Sequence, residues 1–386
     1  MVIGEGEWTA LELVDTLERG DDPGRVPGVM TAWNRHDGFA LRPLSSDLDA
    51  VPLPDRQLTR RYRRRYHHGF ATPSACVETS RGCPFDCNFC SIWVFYQRRA
   101  RRRSPERILE DLEQVRALGE KYVFFTDDIA FLQYEAYETL ARQIRKAGLR
   151  LHYSCETRAD LVVKYRDLFP LWKEVGLHTV FLGIEKIDAT GLEAVRKRVK
   201  GGADTNVQAI DFLRRLGIVP MTSFIADPAW GEEDFDRLEA FVTRLRLPNP
   251  MFTVLTPLPG TELWEMCKTQ ITTCDYSYFD VGHLVLPSQL PPERFYARFA
   301  RLFTLAEART RLSWRALWNL VVMALLGQTF AVRRVYSAVR DLRNPRAYLA
   351  YPGSTPRPDF VPAAFGTLEW IDQARSPLAR QAQPVG

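Results

Sequence analysis

The stretch TSRGCPFDCNFCSIW, residues 79–93, sets Cys83, Cys87 and Cys90 in a C-x3-C-x2-C array. These are three of the chain's seven cysteines. An iron–sulfur cubane is ordinarily held by four thiolates, one per iron. A loop that supplies three leaves one iron open to an exchangeable ligand, as a catalytic metal centre requires. Structural zinc is one rival, but zinc knuckles favour a two-residue gap and a second ligand pair farther on. Here the first gap is three, and the nearest histidine along the chain is His68, upstream of the loop. A cluster completed by Cys76 as a fourth thiolate is the other rival.

Outward from this loop, short apolar runs alternate with amphipathic segments. Strand candidates cover 75–79, 122–126, 151–154, 179–182, 218–224 and 252–255. Each is bounded by polar or turn residues, as a strand buried on both faces should be. Between them, Ser104 and Pro105 read as an N-cap and a first-turn proline, followed by the stripe Ile108, Leu112 and Val115, which ends near Gly119. EAYETLARQIRKAG (135–148) and NVQAIDFLRRLG (206–217) likewise end at glycines suited to a C-terminal cap. Strand starts recur about 30–45 residues apart, the length of a βαβ unit. The pattern predicts an α/β fold of six parallel strands closing or nearly closing into a barrel, with an open doubly wound sheet as the alternative. Cys83, Asp127 with Asp128, Glu156 with Arg158, Glu185 and Asp227 all lie just beyond the C-terminal ends of successive strand candidates. In a parallel barrel those ends converge on one mouth, where active sites are built.

Composition sets wider bounds. The 386 residues suffice for one large domain with an appendage or for two ordinary domains. A hydrophobic content of 46% and a charged content of 26% are those of a soluble globular protein, and no secretory start opens the chain. The expected location is cytoplasmic, with membrane association as an extension of it. Clustered cysteines in odd number argue against a disulfide framework, and Cys76, Cys155, Cys267 and Cys274 read as buried free thiols. The net charge is +5, and arginines crowd into RRYRRRYHH (60–68) and QRRARRRS (97–104). These runs suit a solvated face or attraction to an anion, whether a phospholipid, a nucleic acid or a cofactor carboxylate.

Cys83, Cys87, Phe89 and Cys90 form C-x3-C-x-aromatic-C, which resembles the signature of the radical S-adenosylmethionine superfamily. The resemblance extends over residues 73–290 and implies a partial parallel (β/α)6 barrel. It also implies a 4Fe-4S cluster on Cys83, Cys87 and Cys90 and S-adenosyl-L-methionine on the open iron, with an external electron donor. In the family, cleavage of the sulfonium releases a 5′-deoxyadenosyl radical that takes a hydrogen atom from substrate. By similarity, Phe89 lies against the adenine. Asp127 and Asp128 stand where many members carry the Gly-Gly-Glu motif that receives the methionine ammonium. Arg158, with Glu156 nearby, is the candidate for the carboxylate and Glu185 for the ribose. Ile225 and Asp227, in FIADPAW, follow the fifth strand where the family contacts adenine. Structural salt bridges are the bland alternative for these charges.

Two further regions narrow the resemblance. VIGEGEWTALELVDTLERG (2–20) looks like the last strand and helix of the cobalamin-binding domain of class B, cobalamin-dependent radical methyltransferases, and RPLSSDLDAVPLPDRQL (42–58) like its linker. A lone βα unit cannot bury its apolar face. The expected organisation is therefore a remnant of that domain over 1–27, a linker over 28–72, the barrel over 73–290 and a helical region over 291–386. Either the true start lies upstream, or the domain is lost, or a partner supplies it; cobalamin binding by the chain as written is doubtful. TTCDYSYFDVGHLVLPSQLPPERFY (272–296), with FCSIWVFYQ and TPLPGTELW, resembles the hopanoid methylases that act at carbon 3. That implies a C-methyltransferase for a hopanoid-like lipid, with Asp275, Tyr276, Asp280 and His283 as pocket candidates or as packing residues of an ordinary loop.

Farther on, Trp314, Leu317, Trp318, Val321, Val322 and Leu325 share one helical face. Their apolar run of about a dozen residues is short of the roughly 20 that span a bilayer. Packing against the barrel is the first reading and a membrane interface the second. Other radical outcomes stay open, such as tetrapyrrole cyclisation. RNA modification would call for a second cysteine trio and a small C-terminal β-barrel, neither of which appears, so nucleic acid is not an expected partner. A non-enzymatic electron carrier would call for a fourth thiolate.

Overall fold

The computed structural model describes residues 1–34, 40–66, 74–247, 250–273, 275–307 and 340–349, together with the helical positions 318, 321, 325 and 337. His68, Cys274, Trp314, Leu317 and Val322 lie outside the described residues. The strands in chain order are β1 (Ser74–Val77), β2 (Ser80–Arg81), β3 (Arg101–Arg102), β4 (Tyr122–Phe125), β5 (His152–Thr157), β6 (Leu177–Glu185), β7 (Val219–Ala226) and β8 (Met251–Val254). The helices are α1 (Gly6–Glu18), α2 (Ile92–Phe95), α3 (Pro105–Ala117), α4 (Tyr134–Lys146), α5 (Ala159–Lys164), α6 (Phe169–Val175), α7 (Ala189–Ala194), α8 (Asp204–Arg215), α9 (Glu232–Leu245), α10 (Glu262–Cys267) and α11 (Pro292–Glu307).

Six strands form one sheet in the order β1-β4-β5-β6-β7-β8, and every neighbouring pair is parallel. Spatial order therefore follows chain order. A doubly wound sheet reverses its strand order at a switch point, and this sheet has no such reversal. It curls in one direction as a partial barrel, and all six strand candidates coincide with its strands. β2 and β3 pair separately as a short antiparallel ribbon that the sequence reading lacked.

Period-2 alternation divides each strand between two faces. Val123, Phe125, Tyr153, Val180, Leu182, Phe224 and Val254 point outward to the helices and are buried. Each such side chain contributes about 1.5–3 kcal/mol. Trp172 of α6 centres this layer, edge-on to Phe125, Phe131 and Tyr153, and its indole N–H donates to the Tyr137 carbonyl (3.1 Å). α3 begins as its cap signal requires, with the Ser104 hydroxyl accepting the Arg107 N–H (3.2 Å) and Ile108, Leu112 and Val115 fully buried.

Most of the second arginine run is turned onto the protein itself, and Arg99 is exposed. Arg101 grips Glu5 through Nη1 (2.9 Å) and Nη2 (2.8 Å), and Arg103 donates to the carbonyls of Leu48 (2.6 Å) and Val51 (3.0 Å). Arg98 pairs with Asp86 (2.7 Å). These side chains fasten the N-terminal segment and the cysteine loop to the barrel. In the first run, Arg63 reaches Glu120 (3.4 Å), whereas Arg60 and Arg61 are exposed. α1 rests on this framework through Glu5 and Glu7, but its Leu11, Val14 and Leu17 remain more than half exposed. Val2 bridges to Val29, so the expected strand is a single β-bridge.

Of the face expected to pack on the barrel, Trp318, Val321 and Leu325 are exposed instead. The outer side of β8 and α9 is covered by α11, on which the helix Pro345–Leu349 packs, its Tyr348 stacking on Tyr296 (ring centroids 5.1 Å). No described helix is long and apolar enough to cross a membrane.

Candidate functional site

The chain leaves β1 and must turn sharply to present Cys83. Asp127, just beyond β4, sets that turn. It is buried and accepts the N–H groups of Thr79 (2.7 Å) and Ser80 (2.9 Å), the Tyr137 hydroxyl (2.9 Å) and the Thr79 hydroxyl. Burial pushes its carboxyl pKa up, and those donors hold it down. With both oxygens taken by protein donors, Asp127 positions the loop rather than receiving an ammonium group. Asp128 does the next step by accepting the Gly82 N–H (2.7 Å). Gly82 has φ +93°, and a Cβ there would lie 2.1 Å from the Arg99 carbonyl oxygen, so only glycine fits.

Within the loop, Cys83, Cys87 and Cys90 are all partly buried free thiols. Burial pushes the Cys83 thiol up to about 12 and Cys90 to about 11. Cys87 is raised by the same cause, against the pull of Lys197 and Arg158. Naked thiolates are thus disfavoured, and a metal that deprotonates its ligands supplies the missing positive charge. Among the described residues no group of three His, Cys, Asp or Glu side chains is placed to hold a single ion, and His68 lies outside the described residues. In a cubane each thiolate goes to a separate iron, so three thiols of one loop suit three of its corners. Cys76 is exposed on β1, outside the loop.

Asn88 ties the loop to both sides of the mouth. Its N–H donates to the Val195 carbonyl (3.2 Å), its Nδ2 to the Ala194 carbonyl (2.9 Å), and its own carbonyl accepts the Leu263 N–H (2.8 Å). Leu263 belongs to α10, so this bond joins the loop after the first strand to the helix after the last. Phe89 packs against Val195, Ile225, Leu255 and Leu263, which brings two of the adenine candidates, Phe89 and Ile225, into one apolar cluster.

The charged candidates surround this loop in different states. Arg158 lies over the Phe85 ring (3.9 Å); its Nε and Nη2 engage Asp160 (2.9 and 3.0 Å), and Nη2 also meets the Arg198 carbonyl. Glu185 sits at a register shift between β6 and β7 with φ +66°. Its Oε1 lies 3.1 Å from Lys197 Nζ, and its Oε2 accepts the Ser223 hydroxyl (3.2 Å). A Cβ on Gly183 would fall 2.5 Å from Glu185 Oε1 and 2.7 Å from Lys197 Nζ, so glycine makes room for the pair. Glu156 is half-buried, and its carboxyl is raised by burial, then by the neighbouring Asp128 and Glu185. Asp227 pairs with Lys186 (3.1 Å), which also lies over Trp230 (5.0 Å); it is a structural ion pair rather than an adenine contact.

Sequence reasoning missed Asn88, Gly183, Lys197 and Ser223. Lys197 lies in VRKRVK, which reads as an ordinary basic helix end, so no local signal marks it. The proposed pocket residues lie in a loop that packs against the end of β8 and α10, and they have protein partners of their own. His283 Nδ1 meets both Asp280 oxygens (3.0 and 2.9 Å), and its ring is edge-on to Tyr278 (5.3 Å), Tyr296 (6.4 Å) and Tyr348 (5.9 Å). Asp275 accepts the Ser277 N–H (3.0 Å), and Tyr276 is exposed against Phe279 (5.4 Å). These contacts fasten residues 275–283 to themselves and to α11. His283 is a packing residue there, because an aromatic cage on the outer side of β8 takes up its ring.

A family model described as the Radical SAM superfamily matches residues 77–242. The hopanoid C-3 methylase of Methylococcus capsulatus is 41% identical over 301 residues, covering 77% of this chain and 56% of that protein. The cobalamin-dependent S-adenosylmethionine radical enzyme OxsB, solved with aqua-cobalamin and S-adenosylmethionine bound, superposes with a TM-score of 0.63 at 16% identity over 78% of this chain and 50% of that one. The radical S-adenosylmethionine methyltransferase TsrM from Kitasatospora setae, with cobalamin and a 4Fe-4S cluster bound, gives 0.55 at 19% identity over 75% and 59%. At such identities the two structures establish a shared fold. The chain spans about half the length of the curated relatives it matches.

Proposed function

Because this chain belongs to the Radical SAM superfamily, we propose that it is a C-methyltransferase acting on an unactivated carbon of an apolar, hopanoid-like lipid. The observation that carries this reading is the 41% identity to a hopanoid C-3 methylase. Its cofactors are a 4Fe-4S cluster and S-adenosyl-L-methionine, and cobalamin is the further cofactor named for the structural relatives. When bound, these groups supply hydrogen-atom abstraction by a 5′-deoxyadenosyl radical and a methyl donor.

The protein's own part is to hold and orient. Cys83, Cys87 and Cys90 would hold the cluster, with Asp127 and Asp128 fixing the backbone that leads into them. Arg158 and Lys197 balance negative charge on the thiolates. Glu156 and Asp128 offer carboxylates to the methionine ammonium, and Arg158 offers Nη1, the nitrogen not engaged by Asp160 and Arg198, to the carboxylate. Glu185, locked by Lys197 and Ser223, faces the ribose diol, and Phe89 with Ile225 gives the adenine an apolar wall. Rigid placement of this kind lowers the entropic part of the barrier.

Anaerobic reconstitution followed by low-temperature spin resonance tests the proposal. A reduced cubane signal that changes on addition of S-adenosylmethionine is expected, followed by a hopanoid product heavier by one methylene when methylcobalamin is supplied. A signal unmoved by S-adenosylmethionine, or its absence, overturns the reading.

A further inference from the structure

The arginines of 97–104 do not share one fate. Arg98 pairs with Asp86, Arg101 with Glu5 and Arg103 with Glu78 (3.2 Å). Arg99 stands exposed. Arg102 differs from all of these: it is half-buried, yet no carboxylate meets it among the described residues. Its Nε donates to the Arg103 carbonyl (3.3 Å), its Nη1 makes a long bond to Gln133 Oε1 (3.4 Å), and its buried Nη2 has no partner. Burial pulls the Arg102 pKa down, against the opposing pull of Tyr137, Asp127 and Asp49. Those two acids are committed elsewhere, Asp127 to its four donors and Asp49 to the Ser104 N–H (2.9 Å). A cation that has left water without a counter-charge is costly.

The same guanidinium borders a pocket. Its lining holds Arg101 and Arg102 with Ser80, Gln133 and Tyr137, and no acid. Ser80 is opposite Arg102 in the β2–β3 ribbon; its N–H goes to Asp127, and its hydroxyl has no partner among the described residues. The cavity measures about 20 Å³, where a single water needs at least ~10–15 Å³. It takes roughly two water-sized atoms, which suits the two oxygens of a carboxylate and is too little for a whole metabolite. The tip of one side chain reaching in from outside fits. Ser80 also stands three residues before Cys83, at most about 10 Å of extended chain.

We propose that this pocket seats an aspartate or glutamate side chain of an acidic protein that delivers the electron to the cluster. Arg102 supplies the counter-charge, Ser80 and Gln133 supply hydrogen-bond donors, and Arg99, beside Ala100 of the lining, adds to the attraction. Charge pairing of this kind steers transient redox partners, whose interfaces are small. The donor gives up one electron and is left one-electron oxidised, the cluster takes that electron, and no bond of this chain forms or breaks. This rests on the function proposed above in requiring a cluster that must be reduced.

The reconstituted full chain, mixed anaerobically with a reduced acidic flavodoxin, reports the transfer as a loss of cluster absorbance. In Arg102→Ala, reduction at limiting flavodoxin should slow about ten-fold, and calorimetric affinity for flavodoxin should fall by the same factor. Reduction by methyl viologen, a small cation that needs no docking site, should not change. Arg102→Lys keeps the charge and should stay within about three-fold of the unaltered chain. Sodium acetate in place of chloride at equal ionic strength offers a free carboxylate. It should slow flavodoxin with the unaltered chain and leave methyl viologen unaffected, an arm that needs no variant to fold. A flavodoxin rate and affinity unchanged in Arg102→Ala, equal slowing of both reductants, or indifference to acetate overturns the proposal. A chain that takes up no cluster overturns the proposed function instead, and the flavodoxin affinities of the same proteins then decide the docking site.

Discussion

At the mouth of the curled sheet, Asp127, Arg158, Glu185 and Asp227 are each gripped by neighbouring protein groups, whereas halfway down the same strands Phe124, Phe181 and Met221 are left half-buried. The mouth is built to be complete before any ligand arrives. Buried charges tolerate no loose ends, because an unpaired one costs far more than an unfilled apolar gap. The concave face is packed less completely: these apolar side chains keep part of their surface exposed, while their outward neighbours are fully covered. One end of the sheet is polar and tied by ion pairs, and the middle is apolar and less fully covered.

The comparison breaks most completely at the cysteines. Cys87→Ala leaves two thiols for three corners, and reconstituted protein should lose essentially all of its cluster absorbance while keeping its helical circular dichroism. A sharper contrast comes from two adjacent residues on opposite faces of β6. Leu182→Ala, on the packed outer face, should cost about 2–5 kcal/mol in urea unfolding. Phe181→Ala, on the concave face, should cost less than Leu182→Ala despite its larger side chain, since Phe181 keeps part of its surface exposed whereas Leu182 is fully buried. Equal costs would mean that the concave face is as tightly packed as the outer core. Asp127→Asn replaces an acceptor of four hydrogen bonds by a group that must point an N–H2 at some of those donors, and should cost about 2–3 kcal/mol together with poorer cluster retention.

The smallest effect concerns the seam between α1 and the barrel. Burial pushes the Glu5 carboxyl up, but Arg101, the Ser45 N–H and Arg81 bring it below its ordinary value of 4.5. A carboxyl lowered in the folded state stabilises fully above its unfolded value and loses that contribution as pH falls through the folded one. Protease cleavage within residues 1–27 should therefore rise as pH drops below 4.5, before the core unfolds. Cleavage that is flat with pH would show that the seam holds without these ion pairs.

Much of the fold was legible because each strand is a short apolar run with an amphipathic helix behind it. The cap at Ser104 and the glycines after α4 and α8 mark helix ends by local backbone chemistry, which a sequence displays directly. The six residues expected around the loop, from Asp127 to Ile225, do gather near it, because any residue just past a parallel strand reaches the mouth. Their separate jobs were not legible. Asp127 and Asp128 are neighbours of one type, yet one is sealed among four donors and the other faces the mouth, a difference set by the packing of Tyr137 and Thr79. The arginines of 97–104 read as a surface feature and are instead the fastenings of the N-terminal segment, because their partners Glu5, Leu48 and Val51 lie far away in the chain.

By itself, then, the sequence determined the kind of chemistry and the layout that serves it: three thiols at one spacing, and polar residues at successive strand ends. These are properties of short segments, carried by periodicity and local geometry. Only the tertiary structure decided which charges are spent on one another, that Lys197 and Asn88 belong to the site, and that a bulge in β6 sets His178 beside His152. Those outcomes depend on which distant segments compete for the same space, and no local pattern encodes that competition.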